Sequence, residues 1–280
     1  IILFFTWRFM FENNKQISSR RLAVLIDGDN AQPSLVEKIL SEASKYGTIT
    51  VRRNYGDWTT SNMGGWKDTL QTNAIQPIQQ FRYTIGKNAT DSAMIIDAMD
   101  LLYSGNVDAF CLVSSDSDYT RLATRIREKG FFVMGIGQKK TPRAFVNACD
   151  VFVYTENLLP KKTENKVEKK IEKKKPTRRR ESKPAKEQEH EIEVEQEPET
   201  LSPEPVRLLK QAFDNAVQED GWAFLGTLGH HMRQLDPGFD ARTYGFSQLS
   251  SLIRGYPKVF EIREVKGEDG NSSIYVKVKE

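Results

Sequence analysis

The sequence predicts an α/β fold, a parallel sheet with helices on both faces, followed by a disordered linker and a small winged-helix α+β domain. Three observations lead there. Leu22-Ala23-Val24-Leu25-Ile26 is a continuous apolar run ending in Asp27-Gly28-Asp29-Asn30, the pattern of a strand buried on both faces. Apolar runs and helical periodicities then alternate as far as Tyr154, which implies parallel strands joined by right-handed crossovers. Composition changes abruptly at Pro160, and helical periodicity returns only at Leu201.

The elements follow in order. Ile1 to Phe11 is apolar and aromatic, with Arg8 its only charge. It is shorter than the roughly 20 apolar residues that span a bilayer, and it lacks the basic start and small-residue cleavage site of a signal peptide. It reads as an over-extended reading frame with Met10 as the start, inside an N-terminal extension of residues 1–20. Pro33, a good first-turn residue, begins a helix to about Tyr46 whose Leu35, Val36, Ile39, Leu40 and Ala43 share a face. Thr48 to Tyr55 reads as a strand, Asn62 to Asn73 as a helix, and Ile75 to Phe81, with its proline, as a strand near an edge. Thr90 can cap a helix to Tyr103. Val107 to Ser114 is another buried strand, and Tyr119 to Lys129 a helix closed by Gly130. Phe131 to Gly137 and Val151 to Tyr154 are strands with a short helix, Pro142 to Ala148, between them.

Lys161 to Lys186 is dominated by Lys and Arg, whereas Glu187 to Glu199 has neither. Such a stretch cannot bury enough apolar surface to offset its ordering entropy, so residues 159–200 read as a linker. Glu/Lys pairs allow a helical stretch through Val167 to Lys175. About 40 flexible residues span roughly 35 Å root-mean-square, which keeps residues 201–280 within reach of the first domain. Those residues offer helices at Pro205 to Gln218, Phe224 to Gln234 and Ser247 to Ile253. A β-hairpin follows, from Val259 to Val265 and Ser273 to Val278 with Gly267 to Gly270 at its tip. Three helices and a hairpin make a winged-helix pattern.

Composition adds little about partners by itself. A net charge of +3 over 280 residues does not argue for a polyanion, although the basic half of the linker would attract one. Cys111 and Cys149 lie in apolar surroundings without metal-ligand spacing, as reduced core thiols of a cytoplasmic protein do. His230 and His231 are adjacent on a helix, so they diverge and make no metal site of their own. No stretch of the sequence reads as a membrane anchor.

The chemistry sits in acids at strand ends. Ligands of open α/β sheets bind beyond the carboxyl ends of the strands. Asp27 and Asp29 would point the same way if the extended backbone persisted past Ile26. Asp91, opening a helix, and Asp116 with Asp118, after an apolar run, bring further carboxylates. Crowded carboxylates repel unless a cation relieves them, and Mg²⁺ takes one or two carboxylates while keeping several waters. One or two such ions can activate water and neutralise charge on a phosphoryl group.

Ile26-Asp27-Gly28-Asp29-Asn30, Gly86-Lys87-Asn88-Ala89-Thr90-Asp91 with Asp97 to Leu102, and Val113-Ser114-Ser115-Asp116-Ser117-Asp118-Tyr119 resemble the NYN domain of PIN-like nucleases, over residues 21–158. The resemblance implies a PIN-like fold, ribonuclease activity and a Mg²⁺ or Mn²⁺ site. Carried over by position, Asp27, Asp91, Asp116 and Asp118 are the catalytic and metal-binding residues. Asp29 is a further candidate ligand, and Asn30 orients a ligand or substrate. Ser115 joins the substrate-binding set, with Lys87 and Lys139-Lys140 as phosphate contacts. Trp58 is placed for stacking or as a hydrophobic lid, whereas Trp66 reads as core. Asp97 lies about 240° around the helix from Asp91, so it and Asp100 are read as polar-face or packing residues. Leu208-Leu209, Asp220-Gly221-Trp222-Ala223, Leu228-Gly229, Tyr244-Gly245-Phe246 and Leu249 resemble the OST-type helix-turn-helix (LOTUS) domain, which implies binding of RNA or of a protein partner. The expected activity is metal-dependent cleavage of RNA. The alternatives are an RNA-binding adaptor whose acidic site does not turn over, and an aspartyl phosphotransferase with Asp27 as nucleophile.

Overall fold

A computed structural model describes residues 20–81, 89–159, 204–266 and 272–279. Ile1 to Phe11, Lys87, the linker with its Val167 to Lys175 stretch, and the hairpin tip Gly267 to Gly270 lie outside the described residues.

The first part of the chain alternates as its apolar runs demand. β1 (Arg21–Asp27) leads through α1 (Val36–Ala43) to β2 (Thr48–Gly56), and α2 (Lys67–Thr72) leads to β3 (Gln76–Gln79). After α3 (Ala89–Ser104) come β4 (Ala109–Val113), α4 (Thr120–Glu128), β5 (Phe132–Gly137), α5 (Arg143–Ala148) and β6 (Val151–Tyr154). The helix expected over Asn62 to Asn73 divides: a 3-10 segment, Ser61–Trp66, holds the Gly64-Gly65 pair and precedes α2. Two adjacent glycines carry a large backbone-entropy cost in an α-helix, and the tighter segment ends on the buried Trp66.

All six strands are parallel, in the order β3-β2-β1-β4-β5-β6. β3, with Pro77, is an edge strand as its proline requires. Side chains alternate across β1. Leu22, Val24 and Ile26 pack with Val36 and Ile39 of α1 and Leu70 of α2. Ala23 and Leu25 pack on the other face with Met94, Ala98 and Leu102 of α3 and Leu122 and Ile126 of α4. Each fully buried Leu or Ile contributes about 1.5–3 kcal/mol, so the central strand is held from both sides. Because β1 is flanked by β2 on one side and β4 on the other, the direction of winding reverses between β1 and β4. That reversal opens a crevice beyond their carboxyl ends.

The C-terminal part contains α6 (Glu204–Ala216), β7 (Ala223–Phe224), α7 (Leu225–Leu235), α8 (Leu249–Arg254), β8 (Phe260–Lys266) and β9 (Ser272–Val278). The hairpin expected from the sequence is present. β7, two residues long and so without a periodicity to read, adds a third strand in the antiparallel order β7-β9-β8. Leu209, Leu228, Met232, Leu252, Phe260 and Val276 form this part's core.

The parts before residue 160 and after residue 202 form one compact unit. The loop after α7 lies along β6, where the Phe152 amide donates to the Pro237 carbonyl at 2.8 Å. Arg242 bridges its neighbour Asp240 and the buried Glu42 of α1, reaching both Glu42 oxygens at 3.1 Å. Arg143 contacts Asp236, and the Asn157 amide donates to Thr243 Oγ1 at 2.9 Å. The charged linker alone would leave the C-terminal part tethered and mobile. The structure adds a docked interface.

Candidate active site

The site is built where β1 and β4 end. Strand geometry stops at Asp27, and the next three residues turn. Gly28 is required by close approach. A Cβ there would lie 2.6 Å from Asn54 Oδ1 and 2.8 Å from the Tyr55 carbonyl oxygen, which accepts the Gly28 amide at 2.9 Å. The turn folds back on the Asp27 side chain. Its Oδ1 accepts from the Asp29 amide at 3.1 Å, and its Oδ2 accepts from Asn30 Nδ2 at 2.6 Å and Ser114 Oγ at 2.9 Å. The condition under which Asp27 and Asp29 would point alike, a persisting strand, is therefore not met. Asp27 is fully buried while Asp29 is exposed.

After β4 the chain is ordered by its own polar groups. Ser114 Oγ accepts the Asp116 amide at 3.0 Å while donating to Asp27, so one hydroxyl joins the two acids. Asp116 then caps the short 3-10 turn Ser117–Tyr119, its carboxylate accepting the Asp118 amide at 3.0 Å. From across the crevice, Asp91 in the first turn of α3 accepts a hydrogen bond from the buried Tyr119 hydroxyl at 2.7 Å.

Asp91, Asp116 and Asp118 each offer one carboxylate oxygen, and these oxygens lie within 4.8 Å of one another. All three donors are hard oxygens, as Mg²⁺ or Mn²⁺ requires. Burial pushes the Asp91 carboxyl above its usual range, the Tyr119 hydrogen bond opposes this, and the charges of Asp116, Asp118 and Asp29 add to the rise. Asp27 lies outside the three-acid group. Burial raises its carboxyl to about 6, against the opposing hydrogen bonds of Asn30 and Ser114, with the Asp91 and Asp29 charges contributing. A cation would relieve this repulsion, so the donor set and its electrostatics both fit a divalent ion.

The other candidates fall around this centre. Asn30 is committed to Asp27, and Ser115 Oγ accepts the Gln138 amide at 2.9 Å, fixing the loop after β5. Lys139 and Lys140 follow that loop, exposed at the same carboxyl end of the sheet. Trp58 donates from its indole to the Ile78 carbonyl at 3.0 Å and packs half-buried against the core, tying the end of β2 to β3. Trp66 is core. Asp97 binds Arg53 and the Tyr55 hydroxyl, a packing role under α3. A depression of about 830 Å³ beside Arg127, Phe131 and Phe132 lies at the opposite strand ends and contains none of these residues.

Residues 21–158 match the NYN domain family, and residues 196–271 match the OST-HTH/LOTUS domain family. The chain joins an NYN domain to an OST-HTH/LOTUS domain. An uncharacterized protein of Methanocaldococcus jannaschii is 29% identical to it over 127 residues, 44% of this chain and 50% of that protein. The chain thus spans about half the length of this relative. A crystal structure of a Vibrio parahaemolyticus protein of unknown function is 18% identical, covering 49% of this chain and 93% of its own, with a TM-score of 0.42. A solution structure of an uncharacterized Nitrosomonas europaea protein is 27% identical, covering 34% and 91%, with a TM-score of 0.26.

The NYN match agrees with the PIN-like α/β fold of the first part, and the OST-HTH/LOTUS match with the helices and hairpin of the second. No helix among the described residues is long and apolar enough to cross a membrane. Two residues of the site went unassigned in the sequence. Ser114 and Tyr119 flank Asp116 and Asp118 and hold Asp27 and Asp91 respectively. A serine closing an apolar run and a tyrosine just after the second acid were the available signals.

Proposed function

We propose that the NYN domain is a Mg²⁺- or Mn²⁺-dependent ribonuclease that hydrolyses phosphodiester bonds. The observation that carries this reading is the meeting of Asp91 of α3 with Asp116 and Asp118 of the turn after β4, at the crevice between β1 and β4. These three would hold the ion, with Asp27 beneath them. Such an ion, when bound, lowers the pKa of water and neutralises charge on a phosphoryl oxygen. The chain's own groups do the rest. Tyr119 and Ser114 fix the carboxylates, while Lys139 and Lys140 attract the phosphate backbone. Asn30 and Ser115 set the turns that shape the crevice. Complete burial of Asp27 works against the phosphotransferase alternative, whose nucleophile must reach its substrate.

The test is cleavage of end-labelled RNA by the full chain with Mn²⁺ or EDTA, wild type against Asp116→Asn. Loss of an outer group that merely orients a ligand costs 10–100-fold, so losing a ligand charge should cost about 100-fold or more with RNA binding retained. Wild-type protein that binds RNA in Mn²⁺ and leaves it intact would favour the adaptor reading instead.

A further inference from the structure

The small sheet of the LOTUS domain has two unlike faces. Ala223, Phe260, Ile262 and Val276 turn inward to the core. Alternation therefore sends Phe224, Arg263 and Tyr275 to the other side. The register makes them a row: Phe224 pairs with Tyr275 across β7 and β9, and Tyr275 with Arg263 across β9 and β8. The Phe224 and Tyr275 rings are 5.8 Å apart, and the Arg263 guanidinium carbon lies 5.5 Å from the Tyr275 centroid. It also lies 4.5 Å from the centroid of Trp222, just before β7. Trp222 is set by a tight turn. Its amide donates to Asp220 Oδ1 at 3.0 Å, its carbonyl accepts from Gln218 at 2.9 Å, and Gly221 between them has φ +77°. Three half-buried rings and an exposed guanidinium thus share one outward face, joined by the exposed Lys277.

We infer that this face is a stacking platform for unpaired nucleobases of single-stranded RNA, a site separate from the acidic centre. The inference rests on the RNA reading given above and adds where and how the LOTUS domain holds the strand. The chemistry selects the ligand. Every base has a π-face that stacks on aromatic rings or on a guanidinium plane, and such stacking tolerates any sequence. A duplex hides those π-faces, so it is a poor ligand here. The patch is nearly neutral. Arg263 is 3.7 Å from Asp220, and Lys277 faces Glu261 across β9 and β8. Counterion release is therefore small at this face, and stacking carries the interaction.

The experiment measures binding of a fluorescent single-stranded RNA to the full chain in EDTA, so that nothing is cut. Tyr275→Leu and Trp222→Leu should each weaken binding about tenfold, with the salt dependence unchanged and Tyr275→Phe restoring the affinity. An RNA of the same length with abasic sites should bind the wild-type protein more weakly by a similar factor, a readout that needs no variant. Stacking that serves only the domain's own stability would shift the melting temperature and leave intact and abasic RNA equal. Equal binding of the two RNAs by the wild type overturns the platform while leaving RNA binding in place. Wild-type protein that binds neither RNA overturns the platform together with the reading beneath it.

Discussion

The two sheets use their surfaces in opposite ways. The six-stranded sheet has helices on both faces, α1 and α2 on one side and α3 and α4 on the other, so its central strands β1 and β4 are buried along their length and polar chemistry gathers at their carboxyl ends. The three-stranded sheet has one covered face, and its other face is open across the strands. A parallel sheet needs crossovers, which bury it twice, whereas an antiparallel hairpin can leave one side wet. Topology thus decides whether function sits at an end or on a face.

Matched truncations test this contrast most strongly. Ile26→Ala in β1 removes a side chain packed in the core and should cost about 2–5 kcal/mol, read by denaturant unfolding. Val265→Ala on the outward face of β8 should change stability by less than about 0.5 kcal/mol. Equal costs would mean that the outer face of the small sheet is covered after all.

A smaller effect probes the charge held at the end of β1. Asp27 has a folded-state pKa raised from 3.8 to about 6, so the folded protein keeps a proton that the unfolded chain releases between those values. This group's contribution is thus most favourable below about pH 4 and is lost as pH rises through about 6. The full shift corresponds to at most about 3 kcal/mol. Asn at this position does not titrate. In EDTA, the change in Tm caused by Asp27→Asn should therefore be more favourable at pH 7.5 than at pH 4. The reverse order would show a carboxylate stabilised by Asn30 and Ser114 more than it is penalised by burial.

The smallest expected effect concerns Tyr119. Tyr119→Phe removes the hydroxyl that orients Asp91 and keeps the buried ring. About tenfold weaker Mn²⁺ affinity is expected, with the fold intact. Calorimetric titration of Mn²⁺ measures it directly, and unchanged affinity would remove the hydroxyl from the site.

Much of this was legible in the sequence, because buried parallel strands announce themselves as apolar runs and their terminal acids stand out. That Asp91, Asp116 and Asp118 sit at the ends of elements could be read there, and the resemblance to NYN domains named them as ligands together with Asp27. The separation of Asp27 from them could not be read there. It depends on the chain turning at Gly28 and on Asn30 and Ser114 taking up its oxygens, which are contacts between segments far apart in the chain. The Phe224–Tyr275–Arg263 row was hidden for a similar reason. β7 is too short to show a period, and the row exists only once three strands are in register. The docking of Arg242 on Glu42, 200 residues away, left no local pattern at all.

The Pro237 carbonyl that meets the Phe152 amide has a consequence for synthesis. β6 is the outermost strand of its sheet, and Val151-Phe152-Val153-Tyr154 presents an apolar edge of the kind that recruits strands from other chains. Its cover is encoded 85 residues later, counting from Phe152 to Pro237. At translation rates of about 5–20 residues per second, each nascent chain displays this edge for about 4–17 s before its own cover leaves the ribosome. The spacing of two segments along the gene thus sets a minimum exposure time that no strengthening of their contact can shorten.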